Sequence, residues 1–151
     1  MLPFDIRPAT LLDKEFVYDI KKESVSQYYE SASANWDGEE QHGSFQDNFS
    51  VDTCSIIMVM GISVGFVIIQ ESADSLWVTD IYLAPPARNK GIGTGVIEDI
   101  TDFARWHGKP VYISCFKANE GARRFIERLG FKVYDKTDLN YKFILKPSDE
   151  E

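Results

Sequence analysis

The sequence predicts a single α/β domain, α+β in some schemes, with one central, mixed and mostly antiparallel sheet of about six to seven strands flanked by about four helices. Three observations predict it. Apolar runs rich in β-branched and aromatic residues recur at 54–60, 64–70, 76–83, 111–116 and 141–145, each bounded by Gly, Pro, Ser, Asn or Asp. Between two of these runs lies a helical pattern, with Val96, Ile97, Ile100, Phe103 and Ala104 on one face and Glu98, Asp99, Thr101, Asp102 and Arg105 on the other. The length of 151 residues, with 44% hydrophobic and 26% charged residues, suits one domain that buries about two-thirds of its unfolded surface.

Taken in order, Phe4-Asp5-Ile6-Arg7 alternates and stops at Pro8, a first strand. Thr10 then offers an N-cap to a helix through Leu11, Leu12, Phe16, Val17 and Ile20. Residues 24–50 lack a clean period and are expected to be broken helix and loop, with Tyr28, Tyr29, Trp36, Phe45 and Phe49 scattered among Asp37, Glu39, Glu40 and His42. The runs at 54–60 and 64–70 flank Gly61-Ile62-Ser63, a hairpin signal that continues as a meander through the turn at 72–75 into a strand over Leu76–Leu83. Pro85-Pro86 ends that strand. The helix that follows closes at Gly108 as C′, with His107 in the last turn and Pro110 preventing continuation. The next strand, 111–116, is reached through a helix, so it should lie parallel to Leu76–Leu83 by a right-handed crossover. Asn119 caps a second amphipathic helix with Ala122, Phe125, Ile126 and Leu129 inward and Gly130 as C′, and strands at 131–134 and 141–145 form a closing hairpin. The acidic tail, 147–151, is expected to be disordered.

A formal charge of −8 and the lack of a basic stripe argue against a nucleic-acid binder and mildly favour a cationic partner. Cys54 and Cys115 are too few and too far apart for a disulfide framework or zinc site, and read as buried reduced thiols. No metal is expected. No signal peptide is visible, and the apolar stretch 56–69 is too short and too interrupted to cross a membrane. A cytoplasmic, membrane-free location is therefore expected.

The organising stretch is Arg88-Asn89-Lys90-Gly91-Ile92-Gly93-Thr94-Gly95, between strand and helix. There, backbone N–H groups converge at the positive end of a helix dipole, and glycines admit an anion closely. Phosphate is the natural guest. A P-loop would need its Lys after the glycines, and Lys90 precedes them; a dinucleotide fingerprint would need a third glycine where Val96 stands. Arg88-x-x-Gly91-x-Gly93 instead resembles the acyl-CoA loop of the GNAT superfamily of N-acetyltransferases. Asn119-Glu120-Gly121-Ala122-Arg123-Arg124-Phe125-Ile126-Glu127-Arg128-Leu129-Gly130-Phe131 resembles that superfamily's Asn-x-x-Ala…Gly-Phe helix. The resemblance covers residues 55–145 and the opening Phe4-Asp5-Ile6-Arg7-Pro8-Ala9-Thr10; residues 24–52 match loosely.

The resemblance implies a sheet whose two parallel strands splay to admit pantetheine, and direct transfer of acetyl from acetyl-CoA to the primary amine of a small molecule or peptide. It implies cofactor contacts from Ile81, Tyr82, Leu83, Arg88, Asn89, Lys90, Gly91, Ile92, Gly93, Thr94, Asn119 and Arg124, with the oxyanion held by backbone N–H near residues 81–83. The region 24–50 would form one wall of the acceptor site, and a homodimer is compatible with it. Asp80 is the candidate base or acceptor contact: a carboxylate within an apolar strand must be paired, hydrogen-bonded or used. Strand alternation groups it with Val78 and Tyr82, opposite Trp77, Thr79, Ile81 and Leu83. The chain departs from the pattern at Ile126, where relatives often carry the Tyr that protonates the thiolate. Candidate replacement acids are Tyr82, Tyr112 and Tyr141. The same departure keeps open a CoA-binding sensor or interaction domain without efficient turnover, and the glycine loop alone keeps open a nucleotide-binding domain.

Overall fold

The computed structural model describes residues 3–31 and 49–147, with the side chains of 27–31 left out. Its elements run β1 (Asp5–Pro8), a 3-10 turn (Leu11–Asp13), α1 (Lys14–Ser31), β2 (Cys54–Val59), β3 (Ile62–Glu71), β4 (Leu76–Leu83), a second 3-10 turn (Pro85–Ala87), α2 (Ile92–Trp106), β5 (Val111–Phe116), α3 (Glu120–Arg128), β6 (Lys132–Lys136) and β7 (Asn140–Leu145). The strands form one sheet in the order β1-β2-β3-β4-β5-β7-β6. β4 and β5 pair in parallel, and the other neighbours pair antiparallel. The mixed, mostly antiparallel sheet expected from the sequence is thus present, with three α-helices among the described residues.

The entry to α1 is fixed by a capping box. Thr10 Oγ1 accepts from the Leu12 N–H at 3.3 Å, and the Thr10 N–H donates to Asp13 Oδ2 at 2.8 Å. Arg7 grips the same carboxylate with two bonds of 2.8 Å, tying the end of β1 to the helix. Leu11 and Leu12, expected to face the core, lie in the 3-10 turn and point to solvent at 74% and 96% exposure. The buried face of α1 begins with Val17, Tyr18 and Ile20. The helix also runs unbroken to Ser31, so residues 24–31 of the stretch expected to be broken helix and loop are regular helix, and residues 32–48 of it lie outside the described residues. Ser24 and Val25 are buried one turn beyond Ile20, a helical spacing hidden in the sequence by the polar residues between them.

The sheet has two faces. On one, α2 and α3 bury Ile92, Val96, Ile97, Ile100, Ala104 and Ile126 against Ile57, Val67, Leu76, Val78, Val111, Ile113, Phe143 and Leu145. On the other, Val17 and Ile20 of α1 meet Cys54, Ile56 and Phe66. The core is therefore two layers with the sheet between them. The α2 terminus closes as expected: Gly108, at φ 68, donates to Arg105 O and Lys109 donates to Ala104 O, a Schellman pair.

Gly65 of β3 marks a close approach. A Cβ there would lie 2.4 Å from Tyr82 O and 2.8 Å from Leu83 Cδ2. No side chain fits between β3 and the end of β4, so glycine is required where that strand delivers its last residues to the site.

Candidate functional site

β4 and β5 pair only at Leu76 with Val111, Trp77 with Tyr112 and Val78 with Ile113, then diverge. The opening is a cleft of about 640 Å3 lined by residues 78–83 of β4 and 113–116 of β5. Gly121, Ala122, Phe125 and Ile126 of α3 border it on one side of the sheet and Ser24 and Val25 of α1 on the other. The cleft thus passes through the sheet. Along its β4 wall no strand among the described residues satisfies the edge that faces β5 beyond Val78, so alternate backbone N–H groups around residues 81–83 point into it.

A bulge sets which side chains line this wall. Ile68 lies opposite Asp80 but Ile69 lies opposite Val78, leaving Thr79 as an extra residue whose hydroxyl donates to Ile68 O at 3.3 Å. Strict alternation therefore fails at Thr79. Val78 joins the core under α2, together with Ile81 and Leu83. Tyr82 packs on the α1 side, with its ring 5.8 Å from Phe66. Asp80 shares that side, its Oδ1 lying 3.4 Å from Nζ of Lys21 on α1.

Only 14% of the Asp80 side chain is exposed. Burial raises its carboxyl above the ordinary carboxylate range, and the Lys21 ammonium opposes that shift without cancelling it. A buried carboxylate with a raised proton affinity, at the wall of a cleft, is suited to act as a proton acceptor.

The glycine loop borders the same cleft and opens α2, which packs on the sheet face opposite α1. Gly91 is the N-cap of α2 at φ 82, and Asn89 is also left-handed at φ 61. Among the described residues, no side chain caps the start of the helix. The N–H groups of Ile92, Gly93 and Thr94, in the first turn, have no intrahelical acceptor and stand at the positive end of the dipole. A Cβ on Gly93 would reach Phe125 Cζ at 3.6 Å and Leu83 Cδ1 at 3.9 Å, both cleft-lining residues. Neither contact is a clash and no positive φ is involved, so the fold does not require glycine at 93; its missing side chain leaves room in the cleft. Asn89, Gly91, Gly93 and Thr94 line the cleft. Ile92 sends its side chain into the core at 1% exposure, leaving its backbone to the loop, and Lys90 is exposed beside the lining residues. Uncapped N–H groups, a helix dipole and a cradle that a Cβ would fill fit an anionic, phosphate-bearing group.

Arg88 lines the cleft as expected, but it also makes contacts the sequence did not suggest. Its Nε donates to Leu83 O at 2.9 Å and its Nη2 to Glu23 and to Ser24 Oγ, the latter at 3.0 Å. The guanidinium ties α1 to the end of β4 while still bordering the cleft, so its charge is anchored beside the loop. Its neighbours in the sequence gave no sign of Glu23 and Ser24, which are distant along the chain.

Of the three candidate phenols, Tyr82 alone lines the cleft. Tyr112 is stacked on Trp77 at 4.3 Å and meets Tyr134 edge-on at 5.5 Å, where β4 and β5 are still paired. Tyr141 lies under the Arg123 guanidinium, 4.7 Å from its ring centroid, and accepts from Arg123 Nη1 at 3.4 Å. Tyr112 and Tyr141 therefore fall away from the site. Ile126 is 3% exposed and lines the cleft. Cys115 lines it too, but burial pushes its thiol up to about 11, which keeps it protonated and poorly nucleophilic.

On α3, Asn119 Oδ1 accepts from the Ala122 N–H at 3.0 Å, fulfilling the cap while Asn119 also lines the cleft. Arg124 does not line it. It is 69% exposed and pairs loosely with Glu120 at 3.9 Å. Arg128, four residues further along the helix, is the arginine of α3 that borders the cleft. Helical spacing from Gly121 through Ala122 and Phe125 to Arg128 was the signal that could have found it. The expected acceptor wall, from Trp36 and Asp37 through Glu39, Glu40 and His42 to Phe45, lies outside the described residues, as do the side chains of Tyr28 and Tyr29. Phe49 packs against the α1-side core.

The chain matches the model of the acetyltransferase (GNAT) family over residues 15–131. It is similar in structure to the PaiA N-acetyltransferase of Thermoplasma acidophilum, solved in complex with coenzyme A, with a TM-score of 0.76 at 17% identity over 96% of this chain and 99% of that one. It is similar also to an acetyltransferase of Thermus thermophilus (TM-score 0.73, 15% identity, 96% and 97% covered). The ribosomal-protein-S18-alanine N-acetyltransferase of Escherichia coli gives a TM-score of 0.72 at 19% identity over 97% and 95%. No curated protein matches the chain. With a through-sheet cleft, a glycine-bounded helix terminus at one mouth and a family match spanning most of its length, the chain belongs to the acetyltransferase (GNAT) family.

Proposed function

We propose that the chain is an N-acetyltransferase that moves the acetyl group of acetyl-CoA directly onto a primary amine of a small molecule or peptide. The observation that carries this reading is the cleft itself, which runs from the uncapped start of α2 to the buried Asp80 on the far side of the sheet. The backbone N–H groups of Ile92, Gly93 and Thr94 would hold the pyrophosphate, with Asn89, Asn119 and Arg128 along the same wall. Acetyl-CoA, when bound, supplies an activated acyl group with a thiolate leaving group. Backbone N–H groups around residues 81–83 would stabilise negative charge on the carbonyl oxygen. Asp80 would take the proton that an ammonium must lose before it can attack.

Kinship supports the ligand: the PaiA enzyme of Thermoplasma acidophilum is a coenzyme A complex. A net charge of −8 favours a cationic acceptor over nucleic acid. Two free, buried thiols agree with a reducing compartment, the cytoplasm. No helix among the described residues is long and apolar enough to cross a membrane.

Ile126 favours a second reading. A buried isoleucine in the cleft donates no proton, so a CoA-binding sensor or interaction domain of the same fold is the alternative. Release of free thiol from acetyl-CoA, followed over a panel of polyamines, aminoglycosides and peptides with free N-termini, separates the two. Amine-dependent release supports the enzyme, with Tyr82 or solvent as the acid; tight CoA binding without release for any amine supports the sensor.

A further inference from the structure

We propose that Lys21 is a self-acetylation site, its side-chain amine occupying the acceptor position of the cleft. The inference rests on reading that cleft as the acetyl-CoA site. Lys21, Ser24 and Val25 stand at i, i+3 and i+4 on α1, so they share one helix face. Ser24 and Val25 line the α1-side mouth. Lys21 reaches from that face to Asp80, with Nζ 3.4 Å from Oδ1. α2, whose start carries the glycine loop, packs on the face of the sheet opposite α1, so a thioester threaded between β4 and β5 from that start presents its carbonyl toward the side where this amine sits. Lys21 is 37% exposed, free enough to swing from the carboxylate to the strand gap. The chain thus carries, one contact from its own candidate base, the functional group that the reaction consumes.

The step balances without any further reactant. The Lys21 ammonium passes one proton to the Asp80 carboxylate, and the freed lone pair attacks the thioester carbonyl carbon. The new C–N bond forms and the C–S bond breaks; the sulfur leaves with the bonding pair and takes the second nitrogen proton as CoA thiol. Asp80 returns its proton to solvent. The products are an acetamide on Lys21, CoA thiol and one proton. Because the acetamide is neutral, the modification removes the only ion pair that Asp80 makes among the described residues.

The test uses the full chain with acetyl-CoA and no acceptor, read by intact mass and peptide mapping, both on the chain as purified and after incubation. A calorimetric titration with CoA runs beside it. One acetyl group on Lys21, gained at a first-order rate independent of protein concentration, is expected. It should be absent in Lys21→Arg and slowed by more than about tenfold in Asp80→Asn. Circular dichroism verifies that both variants fold. Acetyl spread over exposed lysines, equally in heat-denatured chain, would overturn the proposal. Unmodified Lys21 in a chain that binds CoA would overturn it while leaving the cofactor reading intact; failure to bind CoA would overturn both.

Discussion

Replacing Gly93 by valine separates what the fold needs from what the cleft needs. The glycine sits in the first turn of α2, and a Cβ there meets its nearest neighbours at 3.6 and 3.9 Å, ordinary van der Waals distances. Alanine should therefore be accommodated, and by restricting the unfolded chain it should raise stability by about 0.5 kcal/mol. Valine forgoes part of that gain through its stiffer χ1 and should change stability by less than about 0.5 kcal/mol. Its two methyl groups, however, project toward Phe125 and Leu83 at the loop end of the cleft, over N–H groups assigned to a phosphate. Losing one charge-assisted hydrogen bond amounts to about 2 kcal/mol, or roughly thirtyfold in Kd. Calorimetry with acetyl-CoA reads the affinity and thermal unfolding reads the fold. A folded Gly93→Val chain that binds acetyl-CoA as tightly as the parent would refute the reasoning; so would a variant that fails to fold, because the contacts would then be tighter than the geometry allows.

Gly65→Ala should behave in the opposite way, since its methyl group would sit 2.4 Å from a backbone oxygen; a loss of about 3 kcal/mol, seen as a Tm lower by roughly 6–12 °C, is expected. Asp80→Asn should reduce amine-dependent turnover at neutral pH by about a hundredfold while leaving acetyl-CoA affinity within about threefold; equal loss of both in steady-state kinetics would make Asp80 structural. The same substitution carries a pH signature. Because burial raises the Asp80 carboxyl in the folded chain, its stabilising contribution is present below the unfolded-chain value and lost as pH rises through the folded one. The variant should therefore gain on the parent in urea unfolding as pH rises from acid to neutral. Asp13 has the reverse sign: Arg7 and Thr10 hold its carboxyl at about 2 against an ordinary 3.8. Its stabilisation is present above the ordinary value and lost as pH falls through the folded one, so Asp13→Asn should cost about 1 kcal/mol at neutral pH. The gap to the parent should close in acid unfolding below pH 3.8.

Much of the frame was legible because it rests on local rules. Thr10, Asn119, Gly108 and Gly130 occupy the capping positions that their side chains or their freedom at positive φ suggest. The strand, glycine loop and helix around Gly91 follow from composition alone. The site was less legible where it depends on contacts between distant segments. No period-two pattern contains a bulge, so the extra residue at Thr79 shifted Val78 to the other face from Asp80. Arg88 looked like a free charge beside the glycines because Glu23 and Ser24 are brought to it only by the packing of α1. Arg124 and Arg128 share a helix, and it is the helical spacing from Gly121 through Ala122 and Phe125 that singles out Arg128 as the one bordering the cleft. Tyr112 and Tyr141 were phenols in strands, yet their rings are engaged by Trp77 and Arg123. Leu11 and Leu12 read as a buried start to α1 because the pattern does not distinguish a 3-10 turn, which rotates them away from the sheet.

The claim on which the remaining assignments depend is that the cleft between β4 and β5 receives acetyl-CoA through the start of α2. Calorimetric titration of the purified chain with acetyl-CoA, with CoA, ATP and NAD in parallel, tests it before any acceptor is known. Micromolar binding, about −8 kcal/mol, confined to acetyl-CoA and CoA is the predicted result. Heat from NAD or ATP at equal or greater affinity, or none from acetyl-CoA, would contradict it.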